Sequence, residues 1–424
     1  MKKKLPALFL TLALLLGLCA CGGAPSEDAN KNIPSTPDDV EQAADNAPEA
    51  PPRQSVKVGL ICIGDENDQG YTYNFVRGKN DASVMLAADG IDVEWVVKWN
   101  VPESGACEDA NRELAEEGCQ IIFNNSFGVE EYMLKVAPDY PDTQFVACTN
   151  QASWNDDLPN THNAFANIYE GRYLAGVVAG LKLEELIDNG ELMPEDAVIG
   201  YVGAFAYAEV ISGYTAYFLG ARSVCPDVTM KVQFVGSWSD ATAEQNAASA
   251  LADLGCALIS QHSDNSTPAT AAQSAGILHT GYNNDMTSIA PAASLVSTRI
   301  DWSVYFEHAI RAIVNGEELE QDWCHGLDEY AVELTPLNRD LIADGTDEKL
   351  DEVKAALADG SLQVFDTSTF TVNGEPVTQA FALDTDGDFV ADSEEAVFDG
   401  AFHESYFQSA PYFTLEIDGI EKLN

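Results

Sequence analysis

From Ser55 onward the chain alternates short apolar runs with longer stretches in which apolar residues recur at helical spacing. The runs predict strands over 56–63, 91–97, 120–124, 143–148, 197–203, 230–235, 256–260 and 277–281. The stretches between them predict helices over 104–117, 129–138, 168–187, 209–223, 241–254 and 267–275. Such alternation implies an α/β fold with parallel sheets made of βαβ units, and there are enough strands for two sheets. The halves share a phrase: Glu117-Gly118-Cys119-Gln120-Ile121-Ile122 and Leu254-Gly255-Cys256-Ala257-Leu258-Ile259 both end a helix on glycine and start a strand. Two similarly folded lobes are therefore expected, with the amphipathic segment 302–315 placed to cross back to the first.

The first strand leads into a turn that matters for function. Val56, Val58, Leu60, Ile61 and Ile63 read as a strand covered on both faces, and Gly64 to Gly70 then expose Asp65, Glu66, Asn67, Asp68 and Gln69. Tyr71, Tyr73 and Asn74 open the helix that follows. In open α/β sheets ligands sit beyond the carboxyl ends of strands, so this turn is a candidate site. Neither GxGxxG nor GxxxxGK[ST] occurs, and three carboxylates would repel a phosphate. Carboxylates, amides and tyrosines suit a neutral planar or hydroxylated molecule instead. The competing reading is that Tyr71 and Tyr73 pack the helix on the sheet while the acids are solvated.

The N-terminus reads as an address. Lys2, Lys3 and Lys4 precede an apolar stretch from Leu5 to Leu18, of signal-peptide length, and Leu18-Cys19-Ala20-Cys21 resembles a bacterial lipobox with Cys21 as the lipid acceptor. An ordinary secretory signal cleaved elsewhere is the alternative. Residues 21–54, rich in Pro, Asp, Glu and Ala without apolar periodicity, read as a disordered tether. Signal peptide, tether and globular body together predict a lipid-anchored protein on the extracytoplasmic face of the cell membrane.

Composition narrows the partners. At 424 residues and 46% hydrophobic, the chain is long enough for two domains. A formal net charge of −48 excludes nucleic acid, whose phosphates need a basic surface. The cysteines at 62, 107, 119, 148, 225, 256 and 324 are scattered singly, with neither a disulfide framework nor a CxxC metal pattern. The six histidines show no HExxH and the chain no GxSxG, so an enzyme is not expected.

Several co-linear segments carry a family likeness: DQGYTYN (68–74), NNSFG with EEYMLKVAPDYPDTQF (124–145), IYEGRYLAGVVAG (168–180), the run 199–227, ISQHSDN (259–265) and GYNNDM (281–286). Over about 55–335 the chain resembles the basic membrane protein (Bmp) family, the substrate-binding lipoproteins of ABC importers, several of which bind purine nucleosides or bases. The resemblance implies a type I periplasmic-binding-protein fold, two Rossmann-like lobes joined by a crossover hinge and closing on a small molecule that is passed to an ABC permease. It implies lobe 1 over 55–164 plus about 292–325, lobe 2 over 165–291, and a C-terminal segment 326–424 packing on both. Family cleft positions fall at Asp68, Tyr71, Tyr73, Phe127, Phe205, Glu209, Trp238, Asp240, Gln261, Asn283 and Asp285. Phe127, Phe205 and Trp238 would offer flat faces to a heteroaromatic ring, and the acids and amides would take its edges or sugar hydroxyls. One departure stands out: where nucleoside-binding relatives tend to carry TSxxKxxD, this chain reads Val296-Ser297-Thr298-Arg299-Ile300-Asp301, placing Thr298 at the lysine. That weakens a ribose contact and favours a nucleobase or a modified ligand.

No cofactor is expected, with one exception. Asp384, Asp386, Asp388, Asp392 and Glu395 follow the spacing of a calcium loop, although the glycine sits at the fourth position where an EF-hand has it at the sixth. Structural calcium and a solvated acidic turn both fit. A ligand-sensing lipoprotein that signals to a membrane partner without transport would carry the same residues; a neighbouring permease and ATPase in the genome would distinguish the importer.

Overall fold

A computed structural model of the chain describes residues 53–149, 158–383 and 391–424. The lipobox with Cys21 and the acids Asp384, Asp386 and Asp388 lie outside the described residues, as does the side chain of Asp392. Among the described residues, β1 (Gln54–Ile61), β2 (Ile91–Lys98), β3 (Ile121–Asn124), β4 (Gln144–Ala147) and β5 (Thr161–Ala166) form one parallel sheet. Its order is β11-β5-β4-β3-β1-β2, the edge strand β11 (Asp322–His325) arriving from far along the chain. A second sheet holds β6 (Val198–Gly203), β7 (Thr229–Phe234), β8 (Leu258–His262), β9 (Leu278–Tyr282) and β10 (Ser294–Ile300). It is closed on one side by β12 (Val332–Leu334), antiparallel to β10, and on the other by Ile420–Lys422, parallel to β7.

Helices cover both faces, which is why the strands read as apolar runs rather than alternating ones. Around the first sheet pack α1 (Tyr71–Ala88), α2 (Gly105–Glu116), α3 (Glu130–Val136) and α8 (Trp302–Asn315). Phe75, Phe123, Trp302 and Phe306 fill one face, and Leu114, Ile122, Met133 and Phe145 the other. Each such side chain contributes about 1.5–3 kcal/mol by leaving water. Around the second sheet lie α4 (Ile168–Asp188), α5 (Ala208–Arg222), α6 (Ala241–Asp253) and α7 (Thr267–Ala275). Helices α4 and α5 touch backbone to backbone: a Cβ on Gly176 would lie 2.0 Å from the Tyr217 carbonyl oxygen, and one on Gly220 2.0 Å from that of Tyr173.

The chain passes between the sheets at Asn167, at Asp301 and over residues 326–331. These passages form the hinge. The sequence reading grouped 292–325 with the first lobe; α8 and β11 do belong there, but β10 pairs with β9 in the second sheet. Its buried Ser294, Ser297 and Thr298 hide it from a search for apolar runs. After α9 (Thr346–Ala358), Phe365, Phe370, Phe402, Tyr412 and Phe413 join the core of the second lobe. The same segment reaches the first: Ser409 donates its amide to Asp322 at 2.6 Å and accepts from Asn163 at 2.8 Å. No described helix is long and apolar enough to cross a membrane.

Glu404 lies in this segment, and burial pushes its carboxyl up to about 8. A folded-state value above the unfolded one means the folded chain binds the extra proton, so stability falls as pH rises between about 4.5 and 8. The melting temperature of the wild type should therefore drop between pH 5 and pH 8, and Glu404→Gln should flatten the drop by up to about 1.4 kcal/mol per pH unit. Parallel curves for the two proteins would show that Glu404 is not the group responsible.

Candidate functional site

The carboxyl ends of both sets of strands point at one narrow cavity, with about 30 Å³ of space for water-sized contents, part of it open to solvent. That is room for a water or two, so a small molecule would need the lobes further apart than they stand here. The first lobe contributes Tyr71 at the start of α1, Ser126 and Phe127 after β3, and Cys148 and Thr149 after β4. The second contributes Glu209 in the first turn of α5, Trp238 after β7, His262 at the end of β8, Asp264 just beyond, and Tyr282 at the end of β9.

The lobes are closed upon each other. Gly70 lies against the backbone of Asp264, so close that a Cβ would sit 2.1 Å from its carbonyl oxygen. The Asn284 amide donates to Gln69 across the gap at 2.8 Å. The ring of Phe127 stacks on Tyr207 with centroids 5.3 Å apart and planes 24° apart. Tyr207 in turn stacks on Phe205 at 5.0 Å, and Trp238 meets Phe205 edge-on at 5.2 Å. An aromatic cluster thus spans the cleft, with Phe127 and Trp238 on the cavity wall and Phe205 behind.

Opposite the rings is a buried polar group. His262 is held neutral by burial, with Arg172 pushing the same way. Neutral, it donates Nε2–H to Glu209 Oε1 at 3.0 Å and accepts the Tyr201 hydroxyl at Nδ1, 3.3 Å away. The Tyr282 hydroxyl donates to the same Glu209 oxygen at 3.5 Å, and the Arg172 guanidinium lies 3.6 Å over the Tyr282 ring. Burial, with Asp68, Glu209 and Glu244 adding to it, lifts the Asp264 carboxyl well above the usual range. The site therefore offers apolar ring faces, the Glu209 carboxylate and a second, buried carboxyl, Asp264, whose hold on its proton is strengthened by burial.

Of the residues expected from sequence, Tyr71, Phe127, Glu209 and Trp238 line this cavity and Phe205 supports it. The others are turned elsewhere. Asp68 accepts the amides of Gly70, Thr72 and Tyr73, at 2.9 to 3.0 Å, and so caps α1. Asp240 caps α6 through the amides of Thr242 and Ala243, and Asp285 accepts from the Thr287 amide and hydroxyl. Gln261 is buried, donating to the Ser263 and Asn265 carbonyls and bonded to His279. Tyr73 and Asn283 are not on the cavity wall; Asn283 is buried in a left-handed conformation, φ 63°, its amide without a partner among the described residues. Helix-start aspartates and pocket aspartates follow strands alike, so position alone did not separate them. Ser126, Cys148, Thr149, Asp264 and Tyr282 also line the cavity and are not among the positions expected from sequence. Each follows or ends a strand, and the alternation that places Tyr282 facing His262 at 4.8 Å was the available signal.

For metals, His325, Asp328 and Glu329 bring one ligand atom each within 4.8 Å of one another on the third passage of the hinge. They are not on the cavity wall, and Asp328 already accepts the Gly326 amide at 3.1 Å.

Comparison with known proteins gives the following. The family described as ABC transporter substrate-binding protein PnrA-like (Bmp) matches residues 55–363. A purine-binding protein of Brucella abortus is 31% identical over 312 residues, 74% of this chain and 83% of that protein. A putative ABC transporter glucose-binding protein of Haloferax volcanii is 30% identical over 68% of each chain. Among solved structures, a solute-binding protein of an ABC transporter system from Aeropyrum pernix shares the fold at TM-score 0.61, 17% identity, over 73% of this chain and 93% of that one.

Proposed function

Since the chain belongs to the Bmp family of ABC transporter substrate-binding proteins and has their type I periplasmic-binding fold, we propose that it captures a purine nucleoside or nucleobase between its lobes and delivers it to an ABC permease. A lipid on Cys21 holds it at the outer face of the cell membrane in this reading, with residues 21–54 as the tether. The observation that carries the ligand class is that Phe127 and Trp238, backed by Tyr207 and Phe205, line the same cavity between the lobes as the Glu209–His262 pair. Base-on-aromatic stacking is worth about 1–3 kcal/mol per base, and a carboxylate beside it selects ring N–H groups. Capture shifts the lobes toward the closed form, and the permease then recognises that form.

The Brucella abortus relative's description as purine-binding supports the purine; the Haloferax volcanii relative is described as glucose-binding, and carboxyls such as those of Glu209 and Asp264 grip sugar hydroxyls as well as ring N–H groups, so the aromatic cluster, not the acids, favours the purine. Mass spectrometry of the small molecule released on mild denaturation tests the reading. A purine is expected. A hexose as the stoichiometric ligand would overturn it.

A further inference from the structure

The family likeness ends at residue 363 and assigns nothing to the tail that follows. That tail is fastened to the second lobe on both sides of residue 409. Phe402, Tyr412 and Phe413 are buried in the core of that lobe, with the Phe365 and Phe413 rings stacked at 4.4 Å, and Ile420–Lys422 extends its sheet alongside β7. Between these anchors the chain runs out and back as a loop closed by one hydroxyl. Tyr412 Oη accepts the amides of Tyr406 and Phe407 at 3.0 and 3.4 Å and donates to the His403 carbonyl. A loop tied in this way presents Ser409 in one fixed place.

Ser409 is gripped by the first lobe. Its amide donates to one oxygen of Asp322 in β11 at 2.6 Å and its hydroxyl donates to the other. The Asn163 amide of β5 donates to that same hydroxyl at 2.8 Å and to Asp322 at 3.1 Å. The Thr149 hydroxyl, on the cavity wall, donates in turn to Asn163 at 2.9 Å. Nearer the hinge, the Ser405 hydroxyl is bonded to the Cys324 thiol, which donates to the Asn167 side chain on the first passage at 3.0 Å. Hydrogen bonds onto a carboxylate are the stronger kind, and breaking these would strip partners from the buried Ser409 and Asn163.

We infer that residues 402–413 are a strap across the hinge, anchored in the second lobe and clipped to the first through Ser409, which resists opening of the lobes. The lever follows from the strands. Asn163 and Asp322 each stand four residues before a passage between the sheets, at Asn167 and Gly326, which is about 13 Å along a strand. Each degree of opening about those passages therefore shifts the clip by about 0.2 Å, and about 10° would carry it past hydrogen-bonding reach. Through Asn163 the same clip positions Thr149, so the tail bears on the cavity wall without touching what the cavity holds.

Small-angle scattering on the full chain, stripped of ligand by unfolding and refolding, tests this with two variants. Ser409→Ala removes the shared hydroxyl, and Asp322→Asn keeps the shape of the acceptor while removing its charge. Both are expected to show a larger radius of gyration than the wild type in the same ligand-free state. Both should also bind adenine or adenosine, whichever the wild type takes, about tenfold more weakly (about 1.4 kcal/mol). Folded variants that melt lower yet keep wild-type dimensions would make Ser409 a structural contact only and overturn the strap. A wild type that binds neither probe would sink the function proposed above, whereas scattering from the ligand-free chain decides the strap by itself.

Discussion

Gly70→Ala should reduce ligand affinity about tenfold or more while leaving the unliganded chain as stable as the wild type. The reasoning is geometric. Gly70 belongs to the first lobe and Asp264 to the second, and in the closed arrangement a Cβ would lie 2.1, 2.2 and 2.4 Å from the oxygen, carbon and Cα of Asp264. Those are backbone atoms, which do not swing aside as a side-chain tip would. Overpacking a close contact costs about 1–3 kcal/mol, and here that cost falls on the closed state, since the open lobes are apart at this point. Apparent affinity falls by the lost population of the competent form, and about 1.4 kcal/mol is tenfold. Calorimetry gives the affinity, small-angle scattering gives the ligand-induced compaction, and both should fail together. Wild-type affinity in a properly folded variant would mean that the lobes need not meet here to hold the ligand.

How far the chain revealed this arrangement differs between its elements. Strands β1, β3, β4 and β6 are apolar because both faces are covered, and each carries that run in plain view. Strand β5, THNAFA, is as buried but polar. Its His162 is satisfied by Gln144 and the Glu320 carbonyl, and its Asn163 by Asp322 and Ser409, partners that lie far away in sequence. The hinge strands were obscure for the same reason: serines and threonines tolerated by tertiary hydrogen bonds carry no local period. In the site, rings were easier than acids. A Phe or Trp just past a strand has few places to go except the cleft or the core. An Asp there is as valuable for a helix start as for a ligand: Asp68, Asp240 and Asp285 took that role, and even Asp264, which stands on the cavity wall, accepts the Tyr71 amide at the start of α1.

Glu209→Gln should cost about 1.5–3 kcal/mol of binding, roughly 10- to 150-fold, with little change in melting temperature. The substitution keeps the side chain's shape and removes its charge. The carboxylate of Glu209 takes the His262 Nε2–H and the Tyr282 hydroxyl on one oxygen, so the second is the acceptor offered to a ligand N–H. A glutamine placed there keeps its carbonyl on His262 and turns its amide toward the ligand, so two donors meet where a donor met an acceptor; flipping the amide moves the conflict to His262. Asp240→Ala makes the contrast. It removes the acceptor of two amides at the start of α6 and should cost about 0.5–2 kcal/mol of stability without altering affinity, because Asp240 is exposed and off the cavity wall. The pair of variants separates holding the ligand from holding the helix. Equal ligand affinity in wild type and Glu209→Gln would remove Glu209 from the contacts and leave stacking to carry recognition. A loss of affinity in Asp240→Ala at temperatures well below its melting point would return that aspartate to the site.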